Sequence, residues 1–125
     1  MSLEENKTVA VDFYKTAFKG EPEKAVADHV GGYYTQHNPQ AADGTEGVIP
    51  FVHWIRNQYP QLHLDIKRVI AEGDLVVTHS QLMLSPDGPS WALADFFRLE
   101  DGKVVEHWDV IQEVPETFAN TNGMF

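Results

Sequence analysis

The chain reads as an α+β protein: N-terminal helices packed on a curved, mostly antiparallel sheet that encloses a pocket. Three observations predict this. Apolar residues recur at helical spacing in the first half and switch to strict alternation from Gln61 onward. The helical segments come first and the strands follow in a run, which is not the order of alternating βα units. Tight turns at Glu72-Gly73-Asp74 and Glu100-Asp101-Gly102 join consecutive strands, as an antiparallel sheet requires.

Residues 3–19 form the first predicted helix, with Leu3, Ala10, Phe13 and Ala17, and with Val9 and Tyr14 beside them, at three-, four- and seven-residue steps. Ser2 is its N-cap, and Glu4 and Glu5 occupy the first turn. Lys19-Gly20 ends it, and Pro22 opens a shorter helix to about Val30. Gly31-Gly32 is expected to break the chain before a β-prone segment, Tyr33 to Asn38, that stops at Pro39. After the turn-rich stretch 40–47, Thr45 or Asp43 caps a third helix from about Glu46 to Tyr59. Its core stripe is Val48, Phe51, Val52, Ile55 and Tyr59. Leu62, Leu64 and Ile66 then alternate with polar residues, Leu75–Leu84 is the next strand, and residues 85–89 form a loop before the last hairpin.

The 125 residues are expected to form one domain, 1–125, since that length buries roughly two-thirds of the unfolded surface. With no cysteine, disulfides, thiolate metal sites and cysteine nucleophiles are excluded. The net charge of −10, from 9 basic and 19 acidic residues, argues against nucleic acid and anionic membranes as partners. No apolar run approaches a membrane span, and the polar, acidic N-terminus does not resemble a targeting peptide, so a cytoplasmic location is expected.

The chemistry concentrates in Asp95–Gln112, DFFRLEDGKVVEHWDVIQ, where Asp95, His107 and Asp109 stand at positions a half-buried sheet fills with Val or Ile. The register of this hairpin decides their relation. A two-residue turn at Asp101-Gly102 pairs Glu100 with Lys103 and sets Asp95 opposite Trp108, away from His107 and Asp109. A three-residue turn with a bulge at Gly102 pairs Leu99 with Lys103 and sets Asp95 opposite His107, with Phe97, Asp109 and Ile111 on the same face. The second is favoured because it leaves Phe96, Arg98, Glu106 and Trp108 together outside, with Arg98 and Glu106 as a diagonal pair. On the preceding strand Val77, His79, Gln81 and Met83 share a face, and if it is the inner one His79 and Gln81 join the pocket wall.

YTQHNP at residues 34–39, the helix after Gly44 and Gly47, and the DFFRLEDGKVVEHWDVIQ hairpin resemble the SnoaL-like polyketide cyclases of the nuclear transport factor 2-like superfamily. The closing VPETFANTNGMF is similar to small bacterial SnoaL-like aldol-condensation proteins. The resemblance implies a cone-shaped fold, and an aspartate on the last strand as acid/base, which Asp109 matches. A His on the strand before it often assists in these cyclases; here that position is Asp95, with His107 across the ladder. Ketosteroid isomerases, more distant relatives, place an Asp base just before a proline, where this chain has Asn38-Pro39. Their pocket tyrosine near the end of helix one matches Tyr14.

The expected function is therefore cofactor-independent acid/base chemistry, of the aldol-condensation/cyclase or isomerase type, on a small hydrophobic carbonyl compound. The catalytic candidates are Asp109, His107 and Asp95. The substrate-binding candidates are His37, Tyr14, His79, Gln81, Phe51, Trp54, Phe97 and Ile111. No metal is expected, since His107-x-Asp109 is the only compact ligand spacing, and no glycine-rich phosphate cradle or nucleophile elbow is present. The alternative is a noncatalytic small-molecule binder with the same pocket. A homodimer through the outer sheet face, around Phe96, Trp108 and Val110, is expected in either case.

Overall fold

A computed structural model describes residues 1–125. The elements are α1 (Leu3–Phe18), α2 (Pro22–His29), β1 (Val30–Gln36), α3 (Thr45–Gln58), β2 (His63–Glu72), β3 (Leu75–Met83), β4 (Ser90–Glu100) and β5 (Lys103–Glu113). The five strands make one sheet in the order β1-β5-β4-β3-β2. All neighbours are antiparallel except β1, which runs parallel to β5 at the edge. No helix is long and apolar enough to cross a membrane.

Ser2 opens α1 as expected. Its hydroxyl accepts from the Glu5 N–H at 3.0 Å, and Glu5 Oε1 accepts from the Ser2 N–H at 3.3 Å, a reciprocal capping box. The buried stripe of α1 is Asn6, Ala10, Phe13, Tyr14, Ala17 and Phe18, whereas Leu3 is exposed and adds nothing to the core. Phe13 and Tyr14 pack edge-on against Phe97 of β4, with ring centroids 6.2 and 5.3 Å apart, fixing the helix over the sheet. The α1 C-terminus is tied down by Arg56 of α3, which donates to the Phe18 carbonyl at 2.7 Å and the Leu62 carbonyl at 3.3 Å.

Two local expectations are corrected. Gly31-Gly32 does not break the chain but lies inside β1, which begins at Val30. A Cβ at Gly31 would stand 2.9 Å from Val105 Cγ1, so glycine is what lets this edge strand close on β5. The N-cap of α3 is Gly44, at φ 74°, and neither Thr45 nor Asp43. Asp43 instead accepts a hydrogen bond from the Gln36 N–H at 2.8 Å, clamping the end of β1.

The hairpin register combines parts of both sequence readings. Asp101 and Gly102, at φ 50° and 76°, form a two-residue turn, and Glu100 pairs with Lys103. The favoured three-residue turn with its bulge at Gly102 is therefore wrong. A bulge exists, but further along: Leu99 pairs with Val104 and Arg98 with Glu106, leaving Val105 without a partner. Past Val105 the phase is reset, Phe97 faces His107, and Asp95 faces Asp109. Arg98 and Glu106 are consequently direct partners and not diagonal ones, joined by a 2.7 Å hydrogen bond on the outer face.

Candidate functional site

The inner face of β4 and β5 carries Leu93, Asp95, Phe97, His107 and Asp109, because the Val105 bulge puts the two strands in step. Across from it, α1 presents Tyr14. The end of β1 lies alongside His107, with Gln36 as its register partner and the His37 N–H donating to the His107 carbonyl at 2.9 Å. The residues that follow β1 turn sharply at Asn38. Its Oδ1 accepts from the Gln40 N–H at 2.7 Å, which aims the side-chain amide back under the sheet.

Asp95 is fully buried. It accepts from the Tyr14 hydroxyl at 2.9 Å and meets His107 Nε2 at 2.8 Å. On the other side of the ring, His107 Nδ1 lies 2.8 Å from Gln36 Oε1, which also accepts from the Asn38 N–H at 2.9 Å. An amide oxygen only accepts, so Nδ1 carries a hydrogen. The contact between Nε2 and Asp95 then holds one proton, which either makes an imidazolium–carboxylate pair or stays on Asp95 beside a neutral imidazole.

Burial pushes the Asp95 carboxyl above its ordinary range; the His107 hydrogen bond and charge pull it back in part, and the charge of Asp109 adds to the upward push. Burial likewise raises Tyr14 far above the usual phenol value, reinforced by the Asp95 charge, and Tyr34 is raised in the same way. Both phenols therefore stay protonated, and Tyr14 donates to Asp95.

Asp109 is placed differently. Its Oδ2 accepts from Asn38 Nδ2 at 2.8 Å and lies 4.0 Å from His107 Nε2, beyond hydrogen-bond reach. Its Oδ1 takes no hydrogen bond from the protein. The carboxylate lines a cavity whose other walls include Phe13, Tyr34, Val48, Phe51 and Phe97. The void is about 40 Å³ and partly open to solvent, room for roughly three water-sized groups. A carboxylate with one anchored and one free oxygen, facing an apolar void, can take a proton from a bound molecule and return it.

The donor atoms of Asp95, His107 and Asp109 all lie within 4.8 Å of one another, close enough for an ion. They are, however, engaged by Tyr14, Asn38 and each other, and N–H and O–H donors aimed at the carboxylate oxygens are what a metal would displace. The arrangement suits proton handling better than ligation.

Of the sequence candidates, the structure brings together Asp95, His107, Asp109, Tyr14, Phe51 and Phe97. It separates the others. His37 is exposed on the outer face, where it stacks on Trp108 at 4.8 Å and pairs with Glu106 at 2.7 Å. On β3 the inner phase is Val76, Thr78, Ser80 and Leu82, so His79 and Gln81 point outward and do not join the pocket wall. Gln81 bonds Ser90, and His79 contacts Arg68 and stacks on Phe125. Ile111 shares the inner face but lies beyond the cavity, exposed. Trp54 stands outside the cavity on α3, 56% exposed. Sequence reasoning missed Tyr34 and Gln36 as wall residues and saw Asn38 only as a missing base. The signal was the alternation Tyr34-Gln36-Asn38, one residue out of step with His37.

A model of the SnoaL-like polyketide cyclase family matches residues 8–117. The chain belongs to that family. Solved structures of similar shape include AclR, a candidate hydroxylase from Streptomyces galilaeus, with a TM-score of 0.74 at 24% identity over 89% of this chain and 91% of that one. A candidate polyketide cyclase from Bacillus cereus gives 0.75 at 20% identity over 86% and 74%. A candidate isomerase of the SnoaL-like family from Agrobacterium tumefaciens gives 0.69 at 17% identity over 87% and 98%. At these identities the likeness concerns the fold, the nuclear transport factor 2-like α+β architecture expected from the sequence. No protein of curated function matches the sequence significantly. The reactions named for these SnoaL-like neighbours differ, so the chemistry of this member has to be argued from its own cavity.

Proposed function

We propose that this SnoaL-like protein is a cofactor-independent acid/base enzyme of the cyclase (aldol) or isomerase type, acting on a neutral, apolar carbonyl compound, with Asp109 as the acid/base. The observation that carries the reading is the asymmetry of Asp109: Oδ2 is held by Asn38 at 2.8 Å, Oδ1 takes no hydrogen bond from the protein, and the residue lines a mostly apolar cavity.

In an aldol closure, Asp109 takes a proton from the carbon next to a carbonyl, and the C–H pair becomes the enolate. The enolate carbon then bonds to a second carbonyl carbon of the same molecule, and the resulting alkoxide recovers the proton from Asp109. In an isomerisation, the same proton returns to a different carbon. Either cycle leaves the protein unchanged and needs one carboxylate only. Gln36 supports the enolate step: its Oε1 is occupied by His107 and Asn38 and its amide also bonds the Tyr34 phenol, which leaves one amide hydrogen as a donor on the cavity wall. His107, held between Gln36 and Asp95, supplies a positive field beside Asp109 when it carries both protons.

The test is exchange of α-hydrogens for deuterium in a panel of diketones and hydroxyketones, followed by proton NMR. Wild type is expected to accelerate exchange or closure for at least one member, and Asp109→Asn to lose about 10²- to 10⁴-fold of that rate while keeping its fold. A variant with full activity overturns the assignment. One observation favours a second reading, a noncatalytic binder: Asp95, His107 and Tyr14 are mutually saturated, as a structural buried network would be. That reading gives ketone binding with no exchange in wild type.

A further inference from the structure

The proposed reaction gives no part to the Tyr34 phenol, although Tyr34 lines the same cavity as Asp109. Tyr34 and Gln36 lie two residues apart on β1, so both side chains leave the strand on one face. The Tyr34 ring is 5% exposed and held between two others. It stacks on His107 with centroids 6.4 Å apart at 17°, and it meets Phe13 at 6.1 Å.

The partners of Gln36 fix which way its amide points. The Asn38 backbone N–H can only donate, and it lies 2.9 Å from Gln36 Oε1, so that atom is the acceptor and Nε2 the donor. His107 Nδ1 donates to the same oxygen at 2.8 Å. The amide nitrogen in turn donates to the Tyr34 oxygen. That bond takes a lone pair of the phenol and leaves its hydrogen free. Tyr14 commits its own hydrogen to Asp95 at 2.9 Å, whereas Tyr34 donates to no acceptor in the protein. The donors therefore run one way, from His107 through Gln36 to Tyr34, and each bond polarises the next. Nδ1 keeps its hydrogen whichever way the proton shared with Asp95 lies, so the chain is permanent.

Resting on the acid/base reading, we infer that the Tyr34 hydroxyl is a catalytic hydrogen-bond donor to the substrate carbonyl oxygen, with Gln36 as the positioning residue that couples it to His107. When Asp109 takes the proton, the C–H electron pair moves into the new C–C double bond and the carbonyl oxygen gains the negative charge. Tyr34 donates to that oxygen and keeps its proton, because burial and the charges of Asp95 and Asp109 hold the phenol protonated. Asp109 is neutral at that moment, so charge is moved within the cavity and not added to it. A donor already in place where the charge develops lowers the barrier without reorganisation.

The experiment is infrared difference spectroscopy of acetone, with and without an isotope label at the carbonyl carbon, bound to the full chain as wild type, Tyr34→Phe and Asp109→Asn. It is run beside α-hydrogen exchange of the ketone that wild type turns over. In wild type the carbonyl band is expected below its position in an apolar solvent, and Tyr34→Phe is expected to reverse most of that shift. The exchange rate of Tyr34→Phe is expected to fall about 10²- to 10³-fold, with KM within about twofold. Asp109→Asn is expected to lose exchange and keep the band shift, so failure of the base and failure of the donor are told apart. A Tyr34→Phe band at the wild-type position overturns the proposal, and so does an undiminished exchange rate in that variant. An unshifted wild-type band, or no bound band at all, overturns it whether or not the variant folds.

Discussion

Asp95 and Asp109 face each other across the β4–β5 ladder, yet each is served by a different donor, Tyr14 for the first and Asn38 for the second. One carboxylate is sealed and matched to His107; the other lines the cavity with one oxygen unbonded to the protein. That division of labour between two like groups is what makes separate predictions for them meaningful.

Replacing Asn38 by Asp puts a second carboxylate where the amide now donates to Asp109 at 2.8 Å. Like charge at that distance disfavours ionisation of Asp109. The acidic limb of the pH profile of kcat/KM is expected to move up by about one unit or more. A limb that stays in place would mean that Asp109 is not the titrating base.

Asp95 predicts a pH dependence of stability. Its folded pKa is raised, chiefly by burial, so the native state holds the proton more tightly than the unfolded chain does. The stability this contributes is fully present below about pH 3.9, the unfolded value, and is lost as pH rises through the raised folded value. Urea unfolding of wild type and Asp95→Asn between about pH 3 and pH 7 is expected to show the wild-type advantage shrinking as pH rises. An advantage that grows with pH would mean the ion pair with His107 outweighs burial.

Gly102, at φ 76°, sits where a side chain is strained, and a Cβ would also meet the Met1 side chain at 2.8 Å. Gly102→Val is expected to cost about 1–3 kcal/mol in unfolding free energy. Activity per folded molecule should be retained, because the turn lies on the far side of Val105 from the site. Thermal melting and a turnover assay on the same sample check both halves.

A second copy of the chain is the proposed cover for the outer sheet face. Ile70, Phe96 and Val110 are exposed there, with Val77 and Trp108 between them, and Arg68, Arg98 and Glu106 bring both signs of charge to the same face. A two-fold pairing of that face with itself buries the strip and leaves its charges to match. Sedimentation is expected to give a dimer for wild type and a monomer for Val110→Lys, with the cavity undisturbed. A wild-type monomer would remove the proposal.

Much of the fold was legible because its signals are local. The capping box at Ser2 and Glu5, Pro22 at the start of α2, and the stripe through Phe13 and Ala17 each depend on residues within a few positions. The parallel edge pairing of β1 was not legible, since Gly31 and Gly32 look like a break until Val105 is known to press against Gly31. On β3 the alternation is ambiguous: Val76-Val77 and Leu82-Met83 are apolar in both phases, and the phase that faces the core carries Thr78 and Ser80. That pattern hid the outward direction of His79 and Gln81. The three ionisable residues of the hairpin were expected to share a face and do, but for a different reason, because Val104-Val105 gives no sequence sign of which residue is extra. Asn38 and Gln36 needed the phase of a short strand that ends in an Asx turn, which only the partner strand determines.

The unpaired Val105 has a practical consequence. It divides the hairpin into two parts with independent registers, a tip set by the Asp101-Gly102 turn and a base set by the bulge. Changes at the tip are expected to leave Asp95 and Asp109 in register. The tip is accordingly a natural place to insert a tag, a fluorophore or a tether, giving an experimenter a fixed point of attachment away from the cavity.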